Sequence, residues 1–122
     1  MFELMIETHF SSAHQLRGYK GECENLHGHN WKVQVYVLAD RLNEIDIAID
    51  FRELKRMTNE VVSSLDHAYL NDIFPFTEKN PSSENIARVL FTRLRALLQS
   101  AAVQLKKVTV WESETSCAAY YE

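Results

Sequence analysis

The sequence predicts one α+β domain over residues 1–122. Its predicted element order is ββααββ, with a four-stranded antiparallel sheet and two helices on one face of that sheet. Apolar residues alternate with polar residues near both ends of the chain, whereas the middle of the chain repeats them at helical spacing. Glycine and proline are scarce, at three and two residues, which argues against a flexible linker.

Two strands are predicted at the start of the chain. In residues 1–10 the even positions from Phe2 to Phe10 are mostly apolar, and mostly polar side chains stand between them. Residues 30–40 alternate in the same way from Trp31 onward. Alternation with a period of two is typical of strands that bury one face. The polar segment between these strands holds all three glycines.

Two helices are predicted in the middle of the chain. Residues 49–67 carry apolar side chains at helical spacing, and Asp50 followed by Glu53 resembles a capping box. After a polar loop, residues 81–99 repeat the helical spacing behind a proline. The sequence therefore places two amphipathic helices between the two pairs of strands.

The last two strands are predicted in residues 106–113 and 116–122, joined by a short turn. Two helices cover one face of such a sheet, but its two edge strands stay unpaired within the chain. Unpaired edges favour strand pairing between chains, and a barrel closed from several copies removes them. The sequence therefore predicts a homo-oligomer.

Composition limits the classes of function. The formal net charge is -4 and no basic run is present, so we expect no nucleic-acid partner. Only two cysteines, Cys23 and Cys117, are present, which favours free thiols in a reducing cytoplasm over a disulfide scaffold. No signal-peptide pattern opens the sequence and no stretch approaches the length of a membrane span. We expect a cytoplasmic protein without a membrane partner.

Three histidines are candidate metal ligands. His27 and His29 stand two apart in HGH, and in an extended segment such side chains point the same way. His14 has the parity of the apolar side chains of the first strand, and antiparallel pairing would bring it beside the other two. Three imidazoles with an open fourth position are typical of catalytic zinc. The alternative is a polar turn with solvated histidines.

Cys23 has three interpretations, and the spacing does not separate a metal ligand from a general base. It stands four residues before His27, in a polar loop, where a nearby cation would lower the pKa of its thiol. With a lowered pKa, the thiolate would act as a general base or as a fourth metal ligand. The third interpretation is a small buried apolar residue.

Asp66 and His67 form a second candidate pair at the end of the first predicted helix. A carboxylate beside an imidazole can fix its tautomer and raise its basicity. The alternative is a helix terminus with a solvated histidine. His9 has the polar parity of the first strand and is predicted to lie on the surface.

Glu112 has the parity of the apolar residues in VTVWES, and a carboxylate is costly to bury unpaired. It either follows the end of the strand and is exposed, or it anchors a planar N–H edge of a ligand. Ser82, Ser83 and Glu84 open the second helix, where either serine caps it and free N–H groups favour a carbonyl oxygen or an anion.

Six motifs occur together in the chain: FSSAH, C-x3-HGHNW, IDF-x2-LK, LDHAYLN, NPSSENIA and VWES. In these motifs, which span nearly the whole chain, the sequence resembles the 6-pyruvoyl-tetrahydropterin synthase and 6-carboxy-tetrahydropterin synthase family. The second branch of that family acts in queuosine synthesis. The resemblance implies a tunnelling fold (T-fold), in which trimers close a barrel, two trimers form a homohexamer and active sites lie between subunits.

The resemblance also implies roles for individual residues. It implies Zn2+ on His14, His27 and His29, with Cys23 as catalytic base. It implies a proton-handling pair in Asp66 and His67, and a pterin anchor in Glu112. The segment of Ser82, Ser83 and Glu84 would line the substrate pocket.

The spacing C-x3-HGH is similar to that of the carboxy-type enzymes. For this branch the resemblance implies conversion of 7,8-dihydroneopterin triphosphate to 6-carboxy-tetrahydropterin, with release of acetaldehyde and triphosphate. Glu24 also fits the E-x2-HGH pattern of a branch that makes 6-hydroxymethyl-7,8-dihydropterin for folate synthesis. That cleavage, alone or as a second activity, and 6-pyruvoyl-tetrahydropterin synthesis are the alternatives. Two other classes are a pterin- or zinc-binding module without activity and a zinc lyase for an unrelated substrate.

Overall fold

A computed structural model describes residues 1–21 and 24–122 of the chain. Cys23 lies outside the described residues. The elements follow one another as β1 (Phe2–His14), β2 (His27–Ala39), α1 (Phe51–Val62), β3 (Ala68–Tyr69), α2 (Ser83–Leu97), β4 (Gln104–Ser113) and β5 (Ser116–Tyr121). Among these residues, no helix is both long enough and apolar enough to cross a membrane.

The fold class is α+β and the four predicted strands are antiparallel as expected, but the sheet contains one strand more than predicted. The sheet has five strands in the order β3-β1-β2-β4-β5, and β3 runs parallel to β1. The strand β3 has only two residues, too few for any alternation to be visible in the sequence. It is held in place because the His67 N–H donates to the Ser11 carbonyl at 2.6 Å and the Ser11 N–H donates to Asp66 Oδ1 at 2.9 Å.

The pairing of β1 with β2 determines where the site lies. The two strands are antiparallel without interruption, from Phe2 opposite Ala39 to His14 opposite His27. One face carries the alternating apolar side chains and the other is polar and partly exposed. Because the register is fixed along the whole pair, the end of β1 and the start of β2 meet at one place.

The core lies between the apolar face of the sheet and both helices. Its fully buried members include Trp31, Val33, Val35, Val108 and Val110 from the strands, and helix residues such as Leu54 and Leu90 are buried with them. Burial of each such aliphatic side chain stabilises the fold by about 1.5–3 kcal/mol. The end of the sheet that carries the histidines is therefore fixed by a continuous core.

The two ends of α1 differ from the prediction. Asp50 caps α1 by accepting the Arg52 N–H at 2.8 Å, but the Glu53 carboxylate binds Arg56 instead of completing a capping box. Helix α1 ends at Val62, before the predicted end at His67, and a short 3₁₀ turn follows it. His67 has a φ of 52°, a left-handed conformation that ends any helical path.

Candidate active site

Three histidine rings converge where β1 ends and β2 begins. The ring centroids are 4.6 Å apart for His14 and His27, 5.2 Å for His14 and His29, and 4.7 Å for His27 and His29. His14 is only 1% exposed. Trp31 packs edge-on against His14 and His29, and its indole N–H donates to the Ser12 carbonyl at 3.2 Å. The strand register and this tryptophan together hold the rings in place.

Backbone carbonyls determine the tautomers of two of these rings. His14 Nδ1 lies 2.7 Å from the Pro81 carbonyl oxygen, and His27 Nδ1 lies 2.7 Å from the Asn25 carbonyl oxygen. A carbonyl only accepts, so each Nδ1 carries the hydrogen and each Nε2 presents a lone pair. The two Nε2 atoms face each other at 3.0 Å. Two lone pairs at that distance repel unless a proton or a metal ion lies between them.

The chemistry of the third ring fits a metal site too. His29 Nε2 is buried and makes no hydrogen bond within the described chain. Glu112 Oε1 is 3.1 Å from it, but not in the geometry of a hydrogen bond. Burial lowers the pKa of His29, an effect that the Glu112 carboxylate opposes. A neutral imidazole is the form that binds metal, so the environment favours a ligand.

Four side chains in this cluster could hold a metal ion. One ligand atom from each of His14, His27, His29 and Glu112 lies within 4.8 Å of the others. An imidazole-rich set with one carboxylate suits zinc and related transition metals. The carbonyls on His14 and His27 supply the outer hydrogen bonds that usually orient such ligands.

Glu112 stands inside β4, so the alternative in which the strand ends before it is wrong. Its side chain is 40% exposed. Ser83 Oγ donates to Glu112 Oε2 at 3.3 Å, which places the carboxylate at the start of α2. A helix N-terminus stabilises negative charge nearby. The carboxylate therefore lies between the histidine cluster and the first turn of a helix.

Glu24 also directs its carboxylate towards the cluster. The Leu16 N–H donates to Glu24 Oε1 at 3.3 Å, and the same oxygen lies 3.7 Å from His27 Nε2. The sequence alone left the orientation of this side chain open. The geometry places a second carboxylate beside the three rings.

Asp66 and His67 are organised differently. Asp66 Oδ2 lies 3.0 Å from His67 Nδ1, and the His67 side chain is 83% exposed. The hydrogen bond from the Ser11 N–H, followed by the bond to His67, lowers the pKa of Asp66 below its ordinary value of 3.8. His67 lines one side of an open groove of about 530 Å³ that His29 also lines. Its ring faces solvent and is not part of the four-residue cluster.

Comparisons with known proteins identify the family. The sequence profile of the family described as 6-pyruvoyl tetrahydropterin synthase matches residues 3–122. The chain belongs to the 6-pyruvoyl tetrahydropterin synthase family. Its members include tetrahydropterin synthases, which are lyase-type enzymes.

Two relatives of the chain within this tetrahydropterin synthase family are named for different enzyme activities. The 6-carboxy-5,6,7,8-tetrahydropterin synthase of Synechocystis sp. is 37% identical, over 99% of this chain and 94% of its own. The dihydroneopterin monophosphate aldolase of Pyrococcus furiosus is 34% identical, over 89% of this chain and 88% of its own. The chain covers most of both relatives.

Solved structures support the fold. The structure of Caenorhabditis elegans 6-pyruvoyl tetrahydropterin synthase is similar with a TM-score of 0.87 and 25% identity, over 99% of this chain and 95% of that chain. The tunnelling fold predicted from the motifs is therefore confirmed, with one more short strand than expected.

In this tetrahydropterin synthase fold, the remaining predicted residues lie at the start of α2 or are exposed on the strands. Ser82 caps α2 by accepting the Asn85 N–H at 3.2 Å, while Glu84 in the first turn is exposed. His9 is exposed on β1 as predicted, and Cys117 is an exposed free thiol on β5.

Sequence reasoning missed several neighbours of the site. Pro81 and Asn25 act through backbone carbonyls, which leave no residue-type signal. Trp31 was recognised only as a core residue, although its position two after His29 on the same strand face placed it beside the rings.

Proposed function

We propose that this protein is a zinc-dependent 6-carboxy-5,6,7,8-tetrahydropterin synthase. Its substrates are 7,8-dihydroneopterin triphosphate and water, and its products are 6-carboxy-tetrahydropterin, acetaldehyde and triphosphate. The observation that carries the proposal is the histidine cluster, in which backbone carbonyls occupy two Nδ1 atoms and leave the Nε2 atoms convergent. The C-x3-HGH spacing and the Synechocystis relative support the carboxy-type branch. The whole of residues 1–122 acts as one cytoplasmic domain in queuosine synthesis.

Glu112 anchors the substrate. Its two oxygens match the 2-amino group and the ring N–H of a pterin, because a carboxylate accepts two parallel hydrogen bonds from such an edge. Ser83 Oγ fixes one of these oxygens at 3.3 Å, and the first turn of α2 supplies further N–H groups near Ser82 and Glu84. The carboxylate leaves its contact with His29 when the pterin edge binds.

Zinc on His14, His27 and His29 would lower the pKa of the side-chain hydroxyls of the substrate. The chain itself orients the ligands through the carbonyls of Pro81 and Asn25.

Cys23 removes a proton from the substrate side chain as a thiolate. The C-x3-HGH spacing of the sequence supports this role. His67 passes protons, with Asp66 holding its Nδ1 hydrogen so that Nε2 is the free atom.

The active site is shared between subunits of a homohexamer. The support is the exposure of the His67 ring: Asp66 holds it, yet it faces solvent in the single chain. A second copy that docks its histidine cluster opposite this exposed ring would complete the site. The unpaired outer edges of β3 and β5 are where neighbouring sheets would join.

A second activity is favoured by the position of Glu24. Its carboxylate is 3.7 Å from His27 Nε2, where it can act as base in a retro-aldol cleavage to 6-hydroxymethyl-7,8-dihydropterin. The aldolase name of the Pyrococcus relative supports the same chemistry.

The test is to incubate zinc-loaded protein with 7,8-dihydroneopterin triphosphate and to identify the products by mass spectrometry. A 6-carboxy product supports the main proposal, and a 6-hydroxymethyl product shows that Glu24 is active. Cys23→Ala should abolish the 6-carboxy product and leave zinc bound. Loss of zinc with this substitution would make Cys23 a ligand and contradict its role as base. No turnover with any pterin would favour a binding module.

A further inference from the structure

We propose that Gln15 is a positioning residue that fixes the loop carrying Glu24 and ties it to the segment that follows Asp66 and His67. This inference rests on the proposed function, because it assigns importance to the groups that Gln15 holds. Gln15 is the first residue after β1, next to the ligand His14. It lies between two segments that carry the proposed proton-transfer groups.

The side chain of Gln15 makes one hydrogen bond to each segment. Its Nε2 donates to the Glu24 carbonyl oxygen at 3.1 Å, and its Oε1 accepts from the Tyr69 hydroxyl at 2.5 Å. An amide is suited to this position because it offers a donor and an acceptor at once. Tyr69 is two residues after His67, so the bridge spans from one proposed catalytic segment to the other.

The backbone of Gln15 is fixed independently of its side chain. Its N–H donates to Asn71 Oδ1 at 2.9 Å, and its carbonyl accepts from Asn71 Nδ2 at 2.8 Å. Asn71 is buried, at 8% exposed. The fixed backbone places the side chain between the two segments, and its two hydrogen bonds set its orientation. Gln15 therefore holds both neighbouring segments in fixed positions. Gln15 with its two side-chain hydrogen bonds forms the Gln15 bracket.

The next residue completes the hold on Glu24. The Glu24 N–H donates to the Leu16 carbonyl at 3.1 Å, and the Leu16 N–H donates to Glu24 Oε1 at 3.3 Å. Together with Gln15, these bonds engage the N–H, the carbonyl and the carboxylate of Glu24. The direction of that carboxylate towards His27 thus depends on residues 15 and 16.

Loss of the Gln15 hydrogen bonds is expected to slow turnover but not to prevent binding of zinc or the pterin. The proposed substrate anchor, Glu112, is on β4, and the metal-ligand rings are oriented by Trp31, Pro81 and Asn25, none of which contacts Gln15 by a hydrogen bond. Loosening the Gln15 bracket should displace the carboxylate of Glu24, whereas Pro81 still holds His14 and Ser83 still holds Glu112, so zinc and the pterin should still bind. Displacement of a reacting group by a fraction of an ångström is enough to slow an enzyme.

The experiment compares Gln15→Met and Tyr69→Phe with a matched control, Gln34→Met. Methionine keeps the length of the side chain and removes both hydrogen bonds, whereas Tyr69→Phe removes one. Gln34 makes polar contacts with Glu7 and Trp111 on the polar face of the sheet, so its loss reports general destabilisation. For each zinc-loaded variant we would measure kcat, KM, zinc content and deuterium uptake of the peptide that contains Glu24.

We expect Gln15→Met to lower kcat by about tenfold and Tyr69→Phe by about threefold, with KM and zinc content unchanged. Deuterium uptake at Glu24 should rise in both variants, more in Gln15→Met, and should stay unchanged in Gln34→Met. A Gln15→Met variant with kcat and uptake equal to those of the control would overturn the proposal. The uptake needs no substrate, so it tests the bracket even if the wild-type protein turns over no pterin.

Discussion

The histidine cluster and the Asp66–His67 pair are both fixed by β1, but they differ in exposure. His14 is 1% exposed and meets two further rings inside the same chain. The His67 ring is 83% exposed although its carboxylate partner is hydrogen-bonded to the backbone of Ser11. One region is a buried cluster complete in a single chain, and the other is an ordered imidazole that faces solvent at the side of an open groove.

This difference indicates how the proposed site is divided. A metal cluster needs several ligands at fixed distances, which the register of one strand pair supplies. A proton-transfer group needs only an oriented imidazole, which Asp66 supplies at the surface. In the proposed oligomer, the cluster of one subunit and His67 of its neighbour would form one active site.

The largest expected effect is on the cluster side of this comparison. His27→Ala removes a ring whose Nε2 faces that of His14 at 3.0 Å. We expect zinc affinity to fall by at least about 100-fold, since even outer-shell changes cost 10–100-fold. His9→Ala, an exposed histidine on the same sheet, is the control. Equal zinc affinity in the two variants, measured by competition with a chelator, would show that the cluster is not the metal site.

In the Asp66–His67 pair, His67→Ala should lower kcat without loss of zinc. General acid–base groups contribute about 100-fold or more to the rate, so a decrease of that size is expected. The measurement is steady-state kinetics on zinc-loaded protein, together with zinc content. If kcat is unchanged, or if zinc is lost in parallel, the separation of the two regions fails.

Glu112 sharpens the comparison because it contacts the cluster but is proposed to bind substrate. Glu112→Gln should raise KM by about tenfold or more, since a hydrogen bond to a charged group contributes roughly 1.5–3 kcal/mol. Zinc affinity should change much less than in His27→Ala. Glu114→Gln, in the neighbouring turn, is the control. A large loss of zinc with unchanged KM would instead make Glu112 a metal ligand.

The smallest expected effect is on the stability of the folded chain at acidic pH. The pKa of Asp66 is lowered in the folded chain, mainly by the Ser11 N–H and then by His67. A lowered pKa means that the carboxylate stabilises the fold above its ordinary value of 3.8, and that this contribution is lost as the pH falls below it.

Asp66→Asn should therefore flatten the decrease in Tm between about pH 5 and pH 2.5, relative to the wild type. The exposed Asp72→Asn is the matched control. Parallel Tm curves for wild type and Asp66→Asn would show that this carboxylate is not held as the structure shows.

The sequence allowed the β1–β2 end of the molecule to be predicted well. Alternation over two long strands gives parity and register, and both follow from burial of one face. His14 opposite His27 is a direct consequence of that register. The same reasoning placed Glu112 on the apolar parity of β4, and in the structure its Oε1 lies 3.1 Å from His29 Nε2.

Other features depend on contacts that leave no pattern. The strand β3 has two residues and exists because of hydrogen bonds to Ser11. The Gln15 bracket depends on how the loop closes. The contacts of Arg17 are of the same kind, because its guanidinium donates to the Phe76 carbonyl at 2.5 Å and to the Lys79 carbonyl at 3.0 Å.

The most direct test of the divided site is subunit complementation. His27→Ala and His67→Ala proteins would be mixed, dissociated and reassembled, with mixed oligomers verified by native mass spectrometry. Each variant alone should be nearly inactive, and the mixed oligomers should regain turnover of 7,8-dihydroneopterin triphosphate, because an intact cluster then faces an intact His67. Verified mixed oligomers that stay as inactive as the parents would contradict a site shared between subunits.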